Sequence, residues 1–326
     1  MTTINSTTPV VITPNLLAST LDAGLVTDQT NLANLEQQIA TGNAINVPSD
    51  NPAGAATMLQ LQASVTRANQ YASNAQDGVG WLSLANSTVG SVLSNLQQVQ
   101  SLVQSFSGTT LLGQPAAINA VVDQVRTALT SLNNLANTTY GGNQLLFGGT
   151  GATTQAYDSN GNYLGGSGSA PTRTVAPGTS VPVSLTGPEI FGSLLGNGQG
   201  TVPNSNPPQT TPTGLLQKIV NDMTAYKINP TGPNLSTITG NDLGALQSAI
   251  STVESAAGQL GAYQQQVQGF ATQAQSSVSA LTQQLGSVQS TNVAQAITAL
   301  QLQQTSYQEA LYATSQLSTD SLAKYL

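Results

Sequence analysis

The chain has 326 residues, and only 6% of them are Asp, Glu, Lys or Arg, where an average soluble domain has roughly 25%. It contains no cysteine and no histidine and carries a net charge of −7, which excludes zinc sites, thiol nucleophiles and His-based triads. The six basic residues, Arg67, Arg126, Arg173, Lys218, Lys227 and Lys324, are scattered, so no stripe exists to neutralise phosphates and nucleic acid is not an expected partner. Gln, Asn, Ser and Thr fill the polar positions instead. A surface of neutral amides and hydroxyls repels its own copies weakly, which suits a subunit that packs against neighbours and equally an acidic or saline medium.

The first residues, "MTTINSTTPVVITPN", lack the basic start and apolar core of a secretory signal. No stretch reaches the roughly eighteen apolar residues of a membrane span, so a membrane is not an expected partner either. The first helix is predicted from Leu21, Leu25, Asp28, Leu32, Leu35 and Ile39, which recur at alternating spacings of four and three. That is a heptad seam with one polar intruder, Asp28.

The stretch "GNAINVPSDNPAGAATM", 42–58, breaks the pattern. Gly42 tolerates the left-handed geometry that ends a helix, and Pro48 keeps Val47 extended. Asn51 is a suitable cap for the next helix, with Pro52 in its first turn and Asp50 near its positive end. The break reads as a stop-and-restart joint between two rods.

A long helix from Pro52 to about Phe106 follows, about 80 Å at 1.5 Å per residue. Its seam is Met58, Leu61, Val65, Ala68, Ala72, Ala75, Val79, Leu82, Asn86, Val89, Leu93, Leu96, Gln100 and Val103. After "SGTTLLGQP" a third helix carries Ile118, Val122, Val125, Leu129, Leu132 and Ala136 on one side and stops at the paired glycines of "TTYGG". From Gly141 to about Gly214 the chain is rich in Gly, Pro, Ser and Thr. Within it, "QAYDSNGNYLGG" offers Asn160-Gly161 as a hairpin turn, and "VPVSL" alternates like a strand. A small β-rich domain is expected there rather than a linker.

Beyond a short helix over 215–226, a second long seam runs through Leu243, Leu246, Ile250, Val253, Ala257, Leu260, Gln264, Val267, Ala271, Ala274, Val278, Leu281, Leu285 and Val288. The register fails across "QSTN", 289–292, and restarts at Val293, Ile297, Leu300, Gln304, Tyr307 and Leu311. Asn292 and Gln295 have capping-box spacing, so the last segment is either a new helix or a continuation after a slip. The second helix and the long C-terminal helix read as ordinary intramolecular core. The terminal segments, about 12–45 and 293–326, have seams larger than one partner covers.

No chemistry emerges beside this pattern. Most of the thirteen acids lie singly in helices or turns, "GGTG" at 148–151 lacks the Lys and Ser/Thr of a phosphate loop, and the aromatics are too dispersed for a base-stacking platform. No catalytic, metal or cofactor site is expected, and the chain is not expected to be an enzyme.

With these residues in view, "LEQQIATGNAINVPSDNPAGAATM", 35–58, resembles the N-terminal signature of flagellins and flagellin-like hook-associated proteins. The Pro residues around Ser49-Asp50 look more like the hook-associated branch. "GGNQLLFGGT" at 141–150, "VPVSLTGPEIFG" at 181–192 and the final "QTSYQEALYATSQLSTDSLAKYL" are similar to that family's landmarks in order. Three departures stand out: Ala44 where a basic residue is usual, Asn51 for the second acid, and "QSTN" for an acidic cluster. They leave the two terminal regions without the charges for a conserved ion pair.

The resemblance implies a mainly α fold with a small β-rich inserted domain, whose long antiparallel helical bundle is formed by both chain ends. The expected parts are a terminal assembly segment (1–45), the N-terminal half of the bundle (46–140), the middle domain (141–214), the C-terminal half (215–288) and a second terminal segment (289–326). It implies an extracellular junction protein of the bacterial flagellum, exported without a cleaved signal, or else a filament subunit of the flagellin class. Its implied partners are the hook-side junction protein, flagellin, copies of itself in a ring and an export chaperone. The expected assembly interface is Leu21, Leu25, Leu32, Leu35, Ile39, Val293, Ile297, Leu300, Tyr307 and Leu311.

Overall fold

The computed structural model describes residues 14–106, 114–152, 154–196, 214–230 and 232–323. Most of "SGTTLLGQP", residues 197–213 of the middle region and the last three residues of "SLAKYL" lie outside the described residues.

In chain order come α1 (Pro14–Thr41), α2 (Pro52–Ser105), α3 (Pro115–Ala136), β1 (Thr139–Tyr140), β2 (Gln144–Leu145), β3 (Thr172–Ala176) and β4 (Thr179–Pro182). They are followed by α4 (Gly187–Phe191), α5 (Leu215–Ile228), α6 (Gly232–Ser236), a π-helical turn (Thr237–Asp242), α7 (Leu243–Gln289) and α8 (Val293–Ala323). The fold is mainly α with short antiparallel hairpins, as the periodicity implies. It divides into two compact units: Met1–Thr66 with Val278–Leu326, and Arg67–Ser277.

In the Arg67–Ser277 unit, α2 buries Leu82, Ala85, Val89, Val92, Leu96, Val99 and Val103. The predicted row at 79, 86, 93 and 100 is displaced to its half-buried edge. The small apolar Ala85, Val92 and Val99 take the central row because burying them costs no hydrogen bond, whereas burying Asn86 and Gln100 would. Asn86 instead donates from its amide to Gln264 Oε1 of α7 at 2.6 Å. Along α7, Leu246, Ile250, Val253, Leu260, Val267 and Ala274 are buried as the seam predicts. In α3, Ile118, Val122, Val125, Leu132 and Ala136 are buried, with Ala128 where Leu129 was expected and Leu129 half-buried.

The middle region shares one core with these helices. The glycines of "TTYGG" do not stop α3: its cap is Asn137, and Gly141 and Gly142, at φ 59° and 104°, turn the β1–β2 hairpin. Asn137 also organises the next segment. Its Oδ1 accepts the Ala156 and Tyr157 amides at 2.7 and 3.0 Å, and its Nδ2 donates to the Tyr157 carbonyl at 3.0 Å. The expected turn is displaced by one residue: Gly161 N–H donates to Asp158 O at 3.0 Å, so Ser159 and Asn160 form the turn and Gly161, at φ 79°, follows it. The scattered aromatics converge here: Tyr157 lies 5.3 Å from Tyr163 and 5.5 Å from Phe191, and Phe191 lies 5.7 Å from Phe147, between ring centres.

Among the described residues, the charged side chain buried in this core is Asp242. Asp242, at the end of the π-helical turn, is 1% exposed, and Lys218 of α5 donates to it at 2.6 Å and to Asp222 at 2.5 Å. Burial pushes the Asp242 carboxyl above its ordinary range, and the hydrogen bond from Lys218 opposes this without cancelling it. Burial also disfavours the Lys218 ammonium, but its two carboxylate partners outweigh that and hold its pKa above the usual value.

Replacing Lys218 with Met leaves Asp242 buried without its cation and should cost about 1–3 kcal/mol at pH 7, the lower end reflecting the exposed lysine. An acid whose folded pKa is raised contributes stability at low pH that is lost as pH rises through that pKa. The deficit of Lys218→Met in urea unfolding should therefore shrink between pH 7 and pH 4.

Candidate assembly interface

Within the Met1–Thr66 and Val278–Leu326 unit, α1 and α8 pack against each other. Gln303 Nε2 of α8 donates to Asp28 Oδ1 at 2.7 Å, and Gln29 Nε2 of α1 donates to Tyr307 OH at 2.8 Å. Asn43 pairs with Ser290 in an antiparallel bridge. From Asp28–Gln303 to Asn43–Ser290 the partner number falls as the first rises, so the helices are antiparallel.

The α1 seam faces this pair as the heptads predict. Leu21, Leu25, Asp28, Leu32, Leu35 and Ile39 are half-buried while the residues between them are mostly exposed. Asp28 is tolerated in the seam because the Gln303 amide satisfies it. On α8 the row against α1 is Ala296, Leu300, Gln303, Tyr307, Ala310 and Thr314. It shares Leu300 and Tyr307 with the predicted set, whereas Val293, Ile297 and Leu311 remain 42%, 43% and 44% exposed. Small residues were the signal that apolar counting missed: Ala296 and Ala310 lie two heptads apart, with Thr314 one turn beyond, and allow close approach of a neighbouring helix.

The joint is built almost wholly from neutral groups. Gly42, at φ 71°, ends α1 with its N–H on the Gln38 carbonyl at 2.9 Å. Thr291 N–H then donates to Gly42 O at 2.9 Å, and Ala44 N–H to Gln289 O at 2.7 Å. These two bonds flank the Asn43–Ser290 bridge and tie the exit of α1 to the break between α7 and α8. Nothing in the sequence announced this pairing, because the groups that make it are main-chain. Ion-pair chemistry is not needed here, in accord with the departures at Ala44, Asn51 and 289–292.

Asn51 and Pro52 start α2 as expected: Asn51 Oδ1 accepts the Gly54 amide at 2.9 Å. Pro48 lies in the exposed turn before them. Asn292 caps α8 in the same way, accepting the Gln295 amide at 3.2 Å, so α8 is a new helix. Asp50 does something different from the expected helix-end charge. Its Oδ2 accepts the Asn46 and Val47 amides at 2.9 and 3.0 Å and closes the loop behind the helix. Those bonds, that from Val47 first, hold its carboxyl below the ordinary value of 3.8. The loop lays the buried side chain of Ile45 against Gly54, where a Cβ would come within 2.6 Å of Ile45 Cδ1.

The arrangement contains no chemistry-bearing cluster: among the described residues no group of three potential metal ligands occurs, and no helix is long and apolar enough to cross a membrane. What it offers is two helices with exposed apolar positions, held by a defined joint.

This is the helical architecture of flagellin-like proteins. Residues 12–152 match the family model for the bacterial flagellin N-terminal helical region. In sequence the chain is similar to flagellar hook-associated protein 3. It is 28% identical to that of Salmonella typhimurium over 177 residues, 54% of this chain and 55% of the relative. It is 27% identical to that of Escherichia coli over 175 residues, 53% and 54% of the two chains. A flagellin of Clostridium tyrobutyricum is 28% identical over 141 residues, 43% of this chain and 37% of the relative. The chain thus spans about half the length of the hook-associated relatives that it matches. In fold it is similar to a putative flagellar hook-associated protein of Vibrio parahaemolyticus, with a TM-score of 0.62 at 20% identity over 74% of this chain and 100% of the other. It also resembles FlgL of Xanthomonas campestris, with a TM-score of 0.52 at 19% identity over 70% and 99% of the two chains.

Two outcomes test the joint. Asn51→Ala removes the α2 cap and should cost about 1 kcal/mol in thermal unfolding of the full chain. Asp50 has a depressed folded pKa, so its bonds hold above the unfolded pKa and are lost as pH falls through the folded one. Exchange protection of the Asn46 and Val47 amides should persist at pH 5 and vanish well below 3.8, with Asp50→Ala abolishing it at every pH.

Proposed function

We propose that the chain is a structural adaptor of the bacterial flagellum that joins the hook-side junction protein, hook-associated protein 1, to the flagellin filament. What supports this reading is the pairing of the two chain ends in one helical unit with half-buried seams and exposed apolar positions, together with relatives named for hook association. Its partners are those two proteins, further copies of the chain in a ring and an export chaperone before secretion. It acts outside the cell, with neither nucleic acid nor membrane as a partner, and reaches that place through the flagellar export channel without a cleaved signal. Residues 1–45 and 289–326 are the assembly segments. Leu21, Leu25, Leu32, Leu35 and Ile39, with Leu300 and Tyr307, hold the pair together, and Val293, Ile297 and Leu311 face its neighbours. Ordering the ends is offset by apolar burial against those neighbours.

Deletion of the gene should leave hooks without filaments while flagellin accumulates in the medium; normal filaments on electron micrographs of the deleted strain would refute the adaptor. A flagellin-class subunit would instead form long polymers from purified protein alone. Replacing both Leu32 and Leu35 with Ser should abolish complementation of the deletion. Protease resistance of the Arg67–Ser277 region should be nearly unchanged in that variant, because both residues belong to the other unit.

A further inference from the structure

The α1–α8 pair leaves one side uncovered, and its two walls differ in chemistry. On α8 the exposed Val293, Ile297 and Leu311 form an apolar row with Gln304 between them. On α1, Asp22, Gln29 and Glu36 are exposed and recur every seven residues, so they share one line along the helix. The Gln29–Tyr307 hydrogen bond of 2.8 Å shows that this line borders α8 at Tyr307, on the edge of the half-buried row that adjoins exposed Val293, Ile297 and Leu311. The antiparallel register set by Asp28–Gln303 and Asn43–Ser290 brings Glu36 level with Ile297 and Asp22 level with Leu311. The result is a groove with an apolar wall and an acidic wall. From Asp22 to Glu36 it runs about 21 Å at 1.5 Å per residue.

Among the described residues of this unit no cation balances the acidic wall. The sequence has no Lys or Arg between residues 14 and 66 or between 278 and 323, while it has Asp22, Asp28, Glu36, Asp50, Glu309 and Asp320 there. A second copy offering α1 or α8 to this groove would bring only further carboxylates against Asp22 and Glu36. Like charges brought together oppose association, and opposite charges set both partner choice and encounter rate.

We infer that this groove receives a helix of a different chain, one whose apolar seam is flanked by Lys or Arg at heptad spacing, about four turns long. The inference rests on the assembly reading above and narrows it: copies of the chain meet through other faces, and this face selects a basic amphipathic partner. The partner's seam covers Val293, Ile297 and Leu311, and its basic row pairs with Asp22 and Glu36. The apolar wall supplies adhesion and the acidic wall supplies the choice between partners.

The test uses the full-length chain and two synthetic helical peptides of about 18 residues. They share one Leu/Ile seam and carry either Lys or Glu at every flanking position. In fluorescence anisotropy the Lys peptide should bind at least about tenfold more tightly than the Glu peptide, and its affinity should fall as salt is raised. The double substitution Asp22→Asn with Glu36→Gln, both at exposed positions, should weaken the Lys peptide about fivefold and flatten its salt dependence. Ile297→Ser should weaken both peptides alike while helical content by circular dichroism is kept. Equal affinity for the two peptides, or an unchanged affinity in the carboxylate variant, overturns the proposal. So does sedimentation of the purified chain as a dimer that Ile297→Ser dissociates, since the groove would then take a second copy. Each of these results leaves the adaptor reading standing, and normal filaments in the deletion strain would remove that reading without touching the groove.

Discussion

The terminal unit depends on one short piece of main-chain pairing. Gly42 and Ala44 exchange hydrogen bonds with Thr291 and Gln289, so the turn that ends α1 is joined to the turn that ends α7. Helices α1 and α8 depart from these two turns, and their antiparallel register is therefore set at one end before any side chain meets. The Asp28–Gln303 and Gln29–Tyr307 bonds then repeat the register farther along. Because the pairing is main-chain, it specifies position with little demand on residue type. Gly42 is the exception, since its φ of 71° is costly for a residue with a side chain.

Amides carry the work that charges do in other proteins. Asn51 and Asn292 cap helices, Asn137 holds the Ala156–Tyr157 segment on the end of α3, and Asn86 meets Gln264 at the edge of a seam. Each such bond contributes on the order of 1 kcal/mol and is insensitive to salt. The few charges that remain are correspondingly consequential. Asp50 closes the joint loop, and Lys218 holds a buried carboxylate.

Much of this was legible in the sequence, and the remainder divides by physical cause. Helix positions followed from heptads because a buried stripe must recur at the helical period: α2 starts at Pro52 and α1 stops before Gly42 as the caps and breakers require. Which of two adjoining stripes is innermost was less legible. In α2 the centre moved from the row of Asn86 to that of Ala85, and in α8 from the row of Ile297 to that of Ala296. In both helices small residues won the centre, and counting large apolar side chains undervalues them. The pairing of 42–44 with 289–291 was not legible at all, because main-chain groups are the same in every sequence. The aromatic cluster of Phe147, Tyr157, Tyr163 and Phe191 was invisible for a related reason, as its members come together only through the turns between them.

The π-helical turn at Thr237–Asp242 sets the rotation of α6 relative to α7. A wider turn of this kind is equivalent to one extra residue slipped into an α-helix. Without that residue α6 and α7 would be one uninterrupted helix, and everything on one side of the site would be rotated by about 100° relative to the other. Leu235, packed on the core ahead of the turn, could not then keep its place while Leu246 and Ile250 kept theirs.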